Sequence, residues 1–183
     1  MASIFAHGLV AAAVGKVMPK IYRRPKFYIL GVLCAMFPDA DVLGFQFGIA
    51  YSDFLGHRGF SHSLVFALIM AILIQRIFYK KVDFRSKAGI TLIFYFFICM
   101  ASHGVLDAFT TGGLGVAFFA PFDNSRYFFP FRVIQVSPIG VKAFFTETGI
   151  KVLISEYLWI GIPCFFVFIL SFFSYFVKKY TPR

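Results

Sequence analysis

Long apolar segments dominate this chain and leave it few ways to fold. They run roughly over residues 3–18, 27–51, 63–79, 88–109 and 152–177. In a bilayer the backbone N–H and C=O groups cannot bond to water, so a spanning segment must satisfy them internally. A spanning helix needs about 20 residues, which most of these segments provide. The sequence therefore predicts an all-α, polytopic membrane bundle of about four to five membrane helices.

The composition agrees with this fold class. Of 183 residues, 60% are hydrophobic and 14% are charged, whereas a soluble domain carries about 25% charged residues. We predict that residues 1–183 form a single integral membrane domain. The stretch 110–151 is rich in glycine, proline and aromatic residues, which predicts an external or re-entrant aromatic-rich cap. Pro38 and Gly44 are expected to break the second apolar segment.

Positive charge is clustered beside the apolar segments, and the net charge is +10. One cluster lies within residues 16–26, a second within residues 76–87, and a third comprises Lys178, Lys179 and Arg183. This distribution follows the positive-inside rule for cytoplasmic loops. It favours attraction to anionic lipid headgroups and argues against nucleic-acid binding. With these clusters inside, all four histidines fall on the opposite, outer side.

The histidines are accompanied by aspartates at membrane depth, where ionisable groups mark functional sites. Imidazole and carboxylate together are ligands for divalent metals, so we predict a metal site. His103 and Asp107 are four residues apart on one helical face and can hold one ion, or they can simply hydrogen-bond to each other. His57 and His62 lie in HRGFSH, and we expect a loop histidine and a helical histidine, with Ser61 as the N-cap.

Asp39 and Asp41 follow Pro38, and in an extended conformation residues i and i+2 share a side. One of them is expected to bind metal while the other supports the ligands or acts as a base, unless both are solvated. His7 is a ligand candidate or a buried packing residue. Arg58 is expected to bind a phosphate group near the metal, or it lies in solvent. No nucleophile elbow is present, so a hydrolase would use metal-activated water.

The ordered motifs FPDAD, HRGFSHSL, SHGVLDAFTTGG and PFDNSRYFFP, preceded by His7, resemble the YdjM family of bacterial inner-membrane, predicted metal-dependent hydrolases. That family is similar to zinc-dependent phospholipases C and P1-type nucleases. The resemblance implies zinc, in one or two ions, and phosphoester hydrolysis. It also implies a multi-pass protein of the bacterial inner membrane. The implied metal ligands are His7, Asp39, His57, His62, His103 and Asp107.

Three functions are compatible with these residues. The first is a hydrolase of a phosphoester, such as a lipid headgroup, at the outer face, with Asp41 and Arg58 as catalytic residues. The second is a metal-ion or proton transporter that uses the same site, and it requires polar residues that continue to the inner face. The third is a membrane scaffold with a closed structural metal site. The sequence leaves the substrate and the oligomeric state open.

Overall fold

The computed structural model describes residues 1–180, with the backbone alone for residue 141 and for residues 175–180. Its helices, in chain order, are α1 (Ile4–Val17), α2 (Pro25–Met36), α3 (Leu64–Phe78), α4 (Lys87–Ala108), α5 (Val141–Phe144), α6 (Glu147–Glu156) and α7 (Ile162–Tyr180). Residues 1–180 contain no β-strand, only two isolated bridges in the stretch after α4. The predicted all-α class is therefore confirmed.

Three helical stretches are long and apolar enough to cross a membrane, namely Pro25–Phe47, Lys87–Ala108 and Glu147–Ser174. The remaining two apolar segments form α1, of 14 residues, and α3, of 15 residues. Both fall short of the roughly 20 residues that a straight crossing needs. Whether α1 and α3 add a fourth and a fifth crossing stays a prediction.

Helix α4 is the centre of the bundle, because α1, α2 and α3 all pack against it, while α7 packs on α1. Apolar side chains fill the space between these helices, among them Phe27, Leu30, Leu92, Phe96 and Met100. The Tyr95 ring stacks on Phe27 with 3.8 Å between centroids. Its hydroxyl touches Gly31 so closely that a Cβ there would overlap it. The core is therefore closely packed through the middle of the bundle.

The helical segment that begins with α2 changes from α-helix to 3₁₀-helix next to Pro38. The α-helix ends at Met36, and the chain continues as a 3₁₀-helix over Phe37–Phe47. Proline has no N–H and its ring clashes with the preceding turn, so the α-helical pattern cannot pass through it. The predicted break at Gly44 is wrong, because Gly44 stays inside the 3₁₀-helix. The segment ends instead at Gly48, which has a φ of 77° that glycine adopts without strain.

Residues 109–140 form a cap over one end of the bundle. Their backbone bonds tie them to it: Leu64 N donates to Phe118 O, Ala117 N to Arg58 O, and Phe129 N to Ala108 O. The predicted cap extended to residue 151, but helical structure resumes at Val141 and a candidate membrane span begins at Glu147. The side chains of the third basic cluster lie outside the described residues.

Candidate metal centre

All four histidines meet beneath the cap, although they come from three separate parts of the chain. His7 lies on α1, His57 and His62 precede α3, and His103 lies on α4. Each of their side chains is at most 4% exposed. Asp39, Asp41 and Asp107 lie among them. A buried concentration of imidazole and carboxylate groups is therefore present at the end of the bundle opposite Lys16 and Lys20.

Four of these side chains form a compact group, Asp39, His62, His103 and Asp107. His103 Nε2 lies 3.2 Å from Asp39 Oδ1 and 4.0 Å from Asp107 Oδ2. His62 Nε2 lies 3.7 Å from each of the same two oxygens. Zinc with ligand bonds of about 2.0–2.1 Å in a tetrahedron separates neighbouring ligand atoms by roughly 3.3 Å. The spacing of the group is close to that requirement.

The tautomers of the two histidines also suit a cation. His103 Nδ1 lies 2.6 Å from the carbonyl oxygen of Ala35, and since a carbonyl cannot donate, Nδ1 carries the proton. The lone pair of Nε2 then faces a carboxylate. His62 Nδ1 is likewise held by Asp41 Oδ2 at 3.2 Å, so its Nε2 points to the same carboxylates. Acceptors that face acceptors need a proton or a metal between them.

A second, adjoining group consists of Asp41, His57 and His62. His57 Nδ1 lies 2.7 Å from Asp41 Oδ1, and Ser61 Oγ donates to Asp41 Oδ2 at 2.5 Å. His62 belongs to both groups. The expected extended arrangement of the two aspartates is wrong: they lie on a 3₁₀-helix, where residues two apart point in different directions. Asp39 therefore joins the first group and Asp41 the second.

The loop before α3 brings His57 and His62 together through a tight backbone. Gly56 and Gly59 are buried where a Cβ would collide with backbone oxygens of residues 50–56. His62 ends a short 3₁₀ turn, Phe60–His62, and does not lie in α3. The N-cap of α3 is Ser63, whose Oγ accepts from Phe66 N at 3.0 Å, not the predicted Ser61. Ser61 is instead turned towards Asp41.

His7 lies beside the first group. Its ring stacks on His103 with 3.7 Å between centroids, and its Nε2 lies 3.6 Å from Asp107 Oδ1. It does not belong to either compact group of ligand atoms, so its assignment as a ligand stays a prediction. Neither of its ring nitrogens has a hydrogen-bond partner among the described residues.

Unpaired buried atoms concentrate at this site. His57 Nε2, His62 Nε2, Asp39 Oδ2 and both His7 nitrogens have no hydrogen-bond partner within residues 1–180. Buried polar atoms are nearly always satisfied in folded proteins. Of these atoms, His62 Nε2 faces the carboxylate oxygens of Asp39 and Asp107 in the first group, so a divalent cation held by that group would satisfy it.

Arg58 is completely buried and adopts a positive φ of 64°. Its Nε donates to Asp107 Oδ2 at 2.9 Å, its Nη2 to Thr110 Oγ1 at 2.9 Å, and its Nη1 to Gly112 O at 2.8 Å. These protein acceptors occupy three of its five donors. This geometry favours a role for Arg58 in holding Asp107 and the start of the cap.

The comparisons with known proteins identify the family of this chain. The sequence matches the family described as YdjM inner membrane protein over residues 1–181. The chain belongs to that family. It is also 38% identical to the inner membrane protein YbcI of Escherichia coli (strain K12) over 164 aligned residues. The alignment covers 89% of this chain and 92% of that protein. No solved structure matches the chain. Like its relatives, this YdjM-family protein is an inner membrane protein.

The electrostatics around His62 favour a positive charge. Burial alone would lower the pKa of His62, but the neighbouring carboxylates of Asp39 and Asp41 raise it to about 9. The carboxylates of Asp39, Asp41 and Asp107 lie close together here, with the Arg58 guanidinium and the N-terminal amino group of Met1 as nearby positive charges. A metal cation in place of the imidazolium proton would meet the same electrostatic requirement.

Two supporting residues in this YdjM-family protein were not assigned a role from the sequence. Arg126, in the cap, donates to the backbone oxygens of His57, Tyr51 and Asp53, so it fixes the loop that carries the histidines. Glu156, at the end of α6, accepts from Ser3 N and Ser3 Oγ. Both contacts join residues far apart in sequence, and no local motif indicates them.

Proposed function

We propose that this protein is a metal-dependent hydrolase that cleaves a phosphoester at the face of the membrane covered by the cap. The observation that carries the proposal is the first group, in which two imidazole nitrogens and two carboxylate oxygens are spaced for a tetrahedral ion. Zinc is the metal that best matches such nitrogen and oxygen ligands in that geometry. The adjoining group of Asp41, His57 and His62 offers candidate ligands for a second ion.

Asp39, His62, His103 and Asp107 would hold the metal. When bound, a divalent ion supplies Lewis acidity, which activates water at neutral pH and polarises a phosphoryl oxygen. The remaining residues position these ligands. Ala35 O fixes the ring of His103, and Arg58 fixes the Asp107 carboxylate.

Asp41 has a different role in this proposal, because its oxygens bond to His57, Ser61 and the backbone N–H of Arg58. A carboxylate on the distal nitrogen of a histidine sets the tautomer and raises the basicity of the other nitrogen. Asp41 therefore leaves His57 Nε2 as an available base. We propose that this nitrogen, which is unpaired, accepts a proton during hydrolysis.

The accessible edge of the site supports a lipid as substrate. The side chains of Asp39 and Asp41 are 8% and 5% exposed, whereas Asp107 and His103 are fully buried. The least buried side of the site is therefore the 3₁₀-helix. The same helix carries exposed apolar side chains: Leu43 is 55% exposed and Phe47 is 82% exposed. A substrate that approaches along this helix would meet a surface suited to acyl chains.

The transporter alternative needs a polar path from the site to the opposite side of the membrane. Below His103 and Asp39 the bundle is filled with apolar side chains. The polar groups of its buried residues are the Tyr95 hydroxyl, which contacts Ala11 O, and two cysteine thiols. Tyr22, Tyr28 and Tyr79 pack against it. A packed core of this kind supports a reaction that occurs at one face.

The test is hydrolysis by the zinc-loaded protein reconstituted into lipid vesicles. Release of orthophosphate or of a phosphorylated headgroup is measured over a panel of phospholipids and soluble phosphoesters. Asp107→Asn should abolish turnover, while Asp123→Asn, which changes an acid in the cap outside the cluster, should not. If the wild type hydrolyses none of the panel but carries zinc across the vesicle membrane, the transporter replaces the hydrolase.

A further inference from the structure

A groove opens at the other end of the bundle, far from the metal centre. It lies between the end of α1 and the middle of α7, and its volume is about 640 Å³. Lys16 is nine residues beyond His7, which at 1.5 Å per residue is roughly 13 Å along the helix axis. The groove is therefore a separate site on the side of the basic clusters.

One wall of the groove is cationic. It is formed by Lys16, in the last turn of α1, together with Lys20 and Arg23 from the turn that follows. Arg23 is held in place, because its Nε donates to Met18 O at 2.7 Å. No acidic side chain lines the groove among the residues whose side chains are described. The wall therefore presents three cations that converge on one space.

The opposite wall is apolar and belongs to a membrane-spanning stretch. Phe165, Phe168 and Phe172 line it from α7, within the candidate span Glu147–Ser174. Phe165 is 60% exposed. Ser171 Oγ donates to Lys16 O at 3.2 Å and joins the two walls at the base. Aromatic side chains can contact the acyl chains of a phospholipid, and cations at the helix end can contact its phosphate.

We propose that this groove binds an anionic phospholipid, with its phosphate at Lys16 and Arg23 and its acyl chains along the phenylalanines of α7. Basic pockets between membrane helices recognise acidic headgroups in this way. A zwitterionic lipid would bring its own cation against three others. A soluble anion would make no use of the aromatic wall.

A second depression, of about 610 Å³, adjoins the first and shares Lys16, Lys20 and Arg23 with it. Its other walls include Val17 and Leu170. The same cations therefore border two adjoining depressions that are partly lined by apolar side chains, which gives more than one acyl chain a path beside the phosphate. This arrangement strengthens the assignment to a glycerophospholipid.

The experiment uses the full-length protein in phosphatidylcholine vesicles with a trace of spin-labelled lipid. The motionally restricted fraction of labelled phosphatidylglycerol is compared with that of labelled phosphatidylcholine. The wild type should prefer phosphatidylglycerol. The Lys16→Gln/Arg23→Gln variant should lose most of that preference, because the relative affinity for phosphatidylglycerol should fall about fivefold for each removed charge. Lys16→Gln alone changes an exposed side chain and should show an intermediate loss.

The matched control is Lys80→Gln/Arg85→Gln, which removes the same charge from the loop between α3 and α4. It should keep the preference, because a specific site depends on the groove and not on total charge. An equal loss in this control would overturn the proposal in favour of diffuse attraction to the membrane surface. A wild type without any preference would also overturn it, as expected if another part of the chain fills the groove.

Discussion

Arg58 and Asp107 form an ion pair that is completely removed from solvent, with Arg58 Nε 2.9 Å from Asp107 Oδ2. The same carboxylate oxygen is one of the four proposed metal ligand atoms, and it lies 3.7 Å from His62 Nε2. The guanidinium therefore compensates part of the charge of a buried carboxylate and also fixes its direction. This relationship leads to the first prediction.

Arg58→Gln should destabilise the metal-free protein by about 3–5 kcal/mol, because it removes the guanidinium that pairs with the buried Asp107 carboxylate. Zinc should restore part of the loss, since a bound cation replaces the missing charge. Thermal unfolding in detergent, with zinc and with chelator, measures both effects. Arg126→Gln is the control, because Arg126 bonds to backbone carbonyls and its loss should not be relieved by metal. Equal behaviour of the two variants would contradict the assigned role.

Asp41→Asn should weaken zinc binding without abolishing it. Asp41 orients His57 and His62 and is not part of the first ligand group, and loss of such a supporting carboxylate typically lowers metal affinity about 10–100-fold. Asp39→Asn replaces a charged ligand carboxylate by a neutral amide and should cost more. Competition with a chelator of known affinity gives both values. If Asp41→Asn loses zinc as completely as Asp39→Asn does, then Asp41 is itself a ligand.

Glu156→Gln tests a contact that joins α6 to the start of α1. The carboxylate accepts from both the N–H and the hydroxyl of Ser3, and an amide cannot accept both bonds equally well. A loss of about 1–3 kcal/mol is expected in thermal unfolding, the usual cost of leaving a buried donor poorly satisfied. Glu147→Gln, an exposed acid on the same helix, should change stability little. A comparable loss in Glu147→Gln would show that helix charge, and not the Ser3 contact, is responsible.

The orientation of the cap can be tested by cysteine labelling in a background without Cys34, Cys99 and Cys164. Ser125 is exposed in the cap, and Lys80 is exposed at the opposite end. We expect Ser125→Cys to react with an impermeant thiol reagent in cells whose outer membrane has been permeabilised, and Lys80→Cys to react only after lysis. The reverse pattern would place the metal centre on the cytoplasmic side and would exclude an outer-leaflet substrate.

The sequence predicted the helices well, because apolar length and the need to satisfy the backbone in lipid leave little alternative. It also predicted that His7, Asp39, His57, His62, His103 and Asp107 would lie together, because opposition to the basic clusters fixes one end of the bundle. The structure brings four of them, Asp39, His62, His103 and Asp107, into one group, places His57 in the adjoining group and leaves His7 outside both. The local conformations were harder to predict, since they depend on the turn after Pro38 and on which serine caps α3.

The supporting contacts could not be predicted from sequence patterns. Glu156 and Ser3 are 153 residues apart, and Arg126 reaches carbonyls about 70 residues away. Arg58 was expected to be available to a phosphate group, but three of its donors bond to protein acceptors. Such contacts arise from tertiary packing, for which a single sequence carries no periodic or spacing signal.

The most direct test of the metal centre is the zinc content of the protein purified in detergent without chelator, for the wild type, Asp107→Asn and Asp123→Asn. The wild type and Asp123→Asn should each carry one or two zinc ions per chain after equilibration with zinc. Asp107→Asn should lose at least one of them and still elute as a folded protein. A wild type that binds no divalent metal, or an Asp107→Asn variant that retains the full content, would contradict the metal centre and the hydrolase that depends on it.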